Sequence, residues 1–133
     1  MLTITATQLL AHAIGDYLLQ SHWMATEKTK RSIAALVHVT FYAVPFLLLF
    51  RGMSWTALFV IVSTHFVIDR WRLARFVCWG KNFLNPTVSN LSWRECAATG
   101  FSPDTPVWLA TWLLIFVDNI IHVIINGIAL KYL

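Results

Sequence analysis

Histidine and aspartate stand four residues apart three times in this chain: His12 with Asp16, His65 with Asp69 and, in reverse order, Asp118 with His122. That spacing puts both side chains on one face of a helix. An imidazole nitrogen and a carboxylate oxygen then form a mixed N/O donor set of the kind that zinc, manganese and iron accept, whereas calcium prefers oxygen alone. We read His12, Asp16, His65, Asp69, Asp118 and His122 as ligands of one or two divalent ions, zinc first and manganese or iron as alternatives. His38, alone on its own apolar segment, is either a further ligand or a catalytic general base. Gln20 extends the first pair by one more turn. The competing reading is interhelical hydrogen-bond glue, a role that Gln20, Asn119 and Asn126 would share. His22, beside Trp23, is assigned to an interface and left outside the site.

The elements that must position these residues are apolar. Of 133 residues, 58% are hydrophobic and 12% charged, against the roughly one quarter charged that covers a soluble domain. Crossing a hydrocarbon core of about 30 Å takes about 20 helical residues. Four segments approach this, near residues 4–20, 32–50, 54–69 and 106–130. The expected fold is all-α: one domain over residues 1–133, an integral membrane bundle of about four helices, with a long connection over residues 70–105. The first and third segments are short enough to require tilt or local thinning. Thr105-Pro106 marks the start of the last helix, and Pro45 is expected to kink the second.

Basic residues orient the bundle. Lys28, Lys30 and Arg31 lie in the first connection and Arg70, Arg72, Arg75, Lys81 and Arg94 in the third, against Arg51 and Lys131 elsewhere. The positive-inside rule places the first and third connections in the cytoplasm, so both termini face the periplasm of a bacterial inner membrane. In this orientation each Asp of the three pairs lies on the cytoplasmic side of its His. Ionisable groups at membrane depth cost about 2.5–3.5 kcal/mol each on insertion scales, which drives them toward the bundle interior. Carboxylates gathered there repel one another unless cations offset them.

Other function classes fit less well. The net charge of +4 is spread over short connections, with no basic helix face, so no nucleic-acid partner is expected. Cys78 and Cys96 lack a CxxC spacing and predict neither a zinc knuckle nor a disulfide framework. The N-terminal apolar run, interrupted by His12 and Asp16, is expected to be a retained helix and not a signal peptide. Trp71, Phe76, Trp79, Phe83, Trp93 and Phe101 mark the 70–105 connection as interfacial, and Trp23, Trp55 and Trp108 fit the same aromatic belt. Asn90-Leu91-Ser92 matches a glycosylation sequon, an accidental one at a cytoplasmic position.

His12-Ala-Ile-Gly-Asp16 with Leu-Leu-Gln20, then Trp23, Lys28, His38, His65-x3-Asp69 and Asp118-Asn119-x2-His122, resembles the domain-of-unknown-function 3307 family of bacterial and phage membrane proteins. The family is distantly similar to membrane-bound metal-dependent hydrolases of the YdjM type. The stretch Pro103-Asp104-Thr105-Pro106-Val107-Trp108 through Leu130 looks like the phage-borne members. The resemblance implies a metal-dependent hydrolase. The charge count places such an enzyme at the cytoplasmic leaflet, with Lys28, Lys30, Arg70 or Arg72 available to an anionic headgroup. Two further functions stay open. One is a non-enzymatic membrane protein with a structural metal or polar core that binds a host membrane protein. The other is a proton or metal conduit, which four short spans permit only in a homo-oligomer.

Overall fold

A computed structural model describes residues 4–84 and 91–133. The sequon residue Asn90 lies outside them. Among the described residues the fold is all-helical, with no strand. Helix α1 (Ala6–Ala13) runs directly into a π-helical turn (Ile14–Leu18); α2 (His22–Glu27), α3 (Ser32–Leu49), α4 (Trp55–Trp71), α5 (Ala74–Gly80), α6 (Trp93–Cys96) and α7 (Val107–Tyr132) follow. The helix starts have local causes. Thr5, Ser21, Ser54 and Ser92 each accept a backbone N–H of the first turn, which satisfies a donor with no intrahelical partner. Ser92 and Glu95 form a full capping box, so the 70–105 connection contains helices of its own.

Two helices, α3 and α7, are long and apolar enough to cross a membrane. The stretch expected near residues 4–20 holds eight α-helical and five π-helical residues, and α4 has 17 residues, about 26 Å. Pro45 is buried within α3. Helix α7 starts at Val107, one residue past the expected proline, and the Pro106 carbonyl accepts from Ala110 N–H at 3.0 Å.

The chain divides into two compact units, residues 1–72 with 122–133, and residues 73–121. In the first, α3 packs against α1, the π turn, α2 and α4. Its buried face runs through Ala34, Ala35, His38, Val39, Tyr42 and Phe46, and that of α4 through Ala57, Ile61, His65 and Asp69, each in steps of about one turn. The apolar core joins Ala11, Tyr42, Phe46, Ala57, Ile61 and Ala129. Gly15 allows the π turn to lie against α3: a Cβ there would stand 2.7 Å from Tyr42 Cδ2 and 3.0 Å from its Cα. In the second unit the Phe76 and Trp93 rings stack at 4.3 Å, with the Arg75 guanidinium 5.3 Å from the Trp93 ring.

Candidate metal centre

Four of the singled-out residues converge in the first unit. Asp16 comes from the π turn, His38 from α3, and His65 and Asp69 from α4, and all four are buried. His38 Nε2 lies 3.0 Å from His65 Nε2, 3.2 Å from Asp16 Oδ1 and 3.2 Å from Asp69 Oδ2. His65 Nε2 lies 3.7 Å from Asp16 Oδ1 and 3.3 Å from Asp69 Oδ2. One ligand atom from each residue thus falls within 4.8 Å of all the others.

This arrangement is frustrated as a purely hydrogen-bonded cluster. Carboxylates only accept, and a neutral imidazole has one N–H to give. Asp16 Oδ1 and Asp69 Oδ2, despite their close cationic and ring neighbours, have no hydrogen bond of good geometry. Buried carboxylate oxygens of this kind need a cation beside them, a place that the Lys28 ammonium takes here and a metal ion can take. Ligands 2.0–2.2 Å from a common tetrahedral ion stand about 3.3–3.6 Å apart. The five separations above bracket that range, so the buried Asp and His cluster can hold a metal ion.

The neighbours orient the donors. His122 Nε2 lies 3.3 Å from Asp69 Oδ1, and His12 Nε2 lies 4.0 Å from Asp16 Oδ2. These two histidines therefore face carboxylate oxygens other than the convergent ones. Tyr42 links several groups: its hydroxyl oxygen accepts from Asn126 Nδ2 at 2.7 Å and pairs with His12 Nδ1 at 2.9 Å, and its ring stacks on His65 at 3.7 Å. The ring nitrogens His38 Nδ1 and His65 Nδ1 are buried with no hydrogen-bond partner. Stacking holds the His65 ring in their place, with Tyr42 on it and His122 at 4.1 Å.

A lysine completes the cluster. Lys28 Nζ lies 2.6 Å from Asp69 Oδ2, 3.5 Å from Asp16 Oδ1 and 3.2 Å from His38 Nε2. Periodicity carried no sign of it, because Lys28 caps the short α2 and belongs to no apolar stripe. Tyr42 was also missed, although it stands one turn after His38 on the same helix.

Asp118 is half-buried one turn before His122 on α7, the four-residue step expected from the sequence. Gln20 does not continue the stripe of His12 and Asp16, because the π turn changes the angular step and the helix ends before it. His22 is exposed. Cys78 and Cys96 are buried in the second unit, and burial pushes both thiols up.

A family model described as a protein of unknown function (DUF3307) matches residues 4–132. No curated protein and no solved structure matches the chain.

Proposed function

The chain belongs to the DUF3307 family, and we propose that it is a metal-binding integral membrane protein that acts as a metal-dependent hydrolase at the cytoplasmic membrane face. Asp16, His38, His65 and Asp69 hold the ion. The observation that carries this reading is the spacing of their donor atoms: the five His–His and His–Asp separations are 3.0–3.7 Å, and all four atoms lie within 4.8 Å of one another. Zinc is the ion of choice for two imidazoles and two carboxylates at tetrahedral separations, with manganese or iron as alternatives. When bound, the ion supplies Lewis acidity toward a phosphoester or acyl bond. His12 and His122 hold the carboxylates in orientation and can take up or return a proton at Nε2.

Membrane insertion rests on four apolar helices, of which α1 with its π turn and α4 cross in tilted or locally thinned bilayer. The cluster then lies toward the end of the spans where Lys28, Lys30, Arg31, Arg70 and Arg72 place the cytoplasm. Single cysteines introduced at Arg31 and Arg51, both exposed, test this with Cys78 and Cys96 replaced by serine. Labelling of Arg31→Cys from the periplasm of intact cells overturns the orientation.

One observation favours a second reading. Four protein donors fill a tetrahedral shell, as structural zinc sites do. In that case the metal holds the bundle together, and the protein acts by binding a host membrane protein through its aromatic second unit.

Elemental analysis of detergent-purified protein tests the shared premise. About one zinc per chain is expected, lost in Asp16→Asn and Asp69→Asn while both variants still insert. Wild-type protein that retains no metal after equilibration with zinc, manganese or iron overturns it. Hydrolysis of phosphoester or acyl probes that stops on chelation separates the enzyme from the structural reading.

A further inference from the structure

Lys28 Nζ contacts Asp16 Oδ1, Asp69 Oδ2 and His38 Nε2, which are three of the four donor atoms assigned to the metal. We propose that the Lys28 ammonium and the metal are alternative occupants of one cation position, so that a divalent ion binds only as Lys28 swings out. This inference rests on the metal reading above.

Geometry sets the conflict. An ion at 2.0–2.2 Å from Asp69 Oδ2 and an ammonium at 2.6 Å from the same oxygen can be no more than about 5 Å apart. Sharing two further donors brings them closer. In a buried site like charges at that separation repel strongly. Charge balance points the same way. The two carboxylates carry two negative charges; a divalent ion neutralises both, whereas the ion together with the ammonium leaves an excess positive charge in an apolar surround.

Lys28 is built for such an exchange. Its side chain is 16% exposed, against 0–7% for the four ligands. It stands at the C-terminal end of α2, outside the long helices. Its flexible four-carbon stem can carry the ammonium outward with no helix moving. The lysine thereby sets how tightly the site takes metal and, in its absence, offsets one of the two carboxylate charges.

Zinc affinity of the full chain in detergent, measured by competition with a chromophoric chelator, is the test. Lys28→Met is expected to bind zinc at least about tenfold more tightly than wild type, and Lys28→Arg, which keeps the charge, no more tightly than wild type. Without zinc, Lys28→Met should melt below wild type, and zinc should close that gap. A measurement on wild type alone accompanies these: acylation of Lys28 followed by mass spectrometry should accelerate on zinc addition, with exposed Lys30 as the unchanged reference. Equal or weaker zinc binding by Lys28→Met, or Lys28 acylation indifferent to zinc, overturns the inference and leaves the metal site standing. Failure of wild type to bind zinc, manganese or iron overturns the metal reading itself, and this inference with it.

Discussion

The two ends of the first unit are built from the same helices and held by opposite chemistry. At one end Phe46 of α3, Ala57 and Ile61 of α4 and Ala129 of α7 pack as an apolar core. At the other, one or two turns along the same faces, His38, His65, Asp69 and His122 meet Asp16 and Lys28. Tyr42 stands between, with its ring 5.2 Å from Phe46 on one side and stacked on His65 on the other. The apolar end needs only volume and shape, and so it can position the helices whatever cation the polar end holds. The polar end gains little from packing and depends on charge and donor geometry. Stability and metal binding should therefore separate when the two ends are perturbed one at a time.

The largest expected effect on stability is at the apolar end. Phe46→Ala should cost about 3–5 kcal/mol, read from denaturant unfolding in detergent, while the fraction that remains folded keeps its metal. Loss of metal from that folded fraction would break the separation. At the polar end His38→Gln should lower metal affinity by about 100-fold or more, since it removes a ligand, with much less loss of stability. Retention of metal with loss of hydrolysis would instead assign His38 as a base and not a ligand. Tyr42→Phe keeps both ring contacts and removes only the hydroxyl shared with His12 and Asn126. A fall of about 10-fold in metal affinity is expected, with about 1 kcal/mol of stability; an unchanged affinity would confine Tyr42 to packing. His22→Ala, at an exposed position, should change neither quantity, and metal loss in a folded His22→Ala protein would redraw the site.

Much of the polar end was legible because four-residue spacing survives folding on straight helices: His65 with Asp69 on α4 is such a pair. The first pair was legible as residues but not as geometry. No periodic rule marks the π turn that carries Asp16, and Gly15 was its only local trace. Lys28 could be counted for topology, but a side chain that reaches in from a short capping segment leaves no pattern in a stripe. Tyr42 was hidden for a different reason: on an apolar helix a tyrosine looks like core, and its hydroxyl partners lie 30 and 84 residues away. The α6 capping box at Ser92 and Glu95 was readable in the sequence, yet the segment's charges and aromatics spoke only for an interfacial connection and not for its helices. Lone His38 showed the limit of spacing most clearly, since a ligand without a helical partner is recognised only when other helices bring theirs.

X-ray absorption on the zinc-loaded protein reads the ligand set of the bound ion. A shell of nitrogen and oxygen at about 2.0–2.2 Å is expected, with the outer-shell scattering of two imidazoles and no sulfur, if Asp16, His38, His65 and Asp69 hold the ion. A shell containing sulfur from Cys78 or Cys96, or one of oxygen alone without imidazole, would contradict that ligand set.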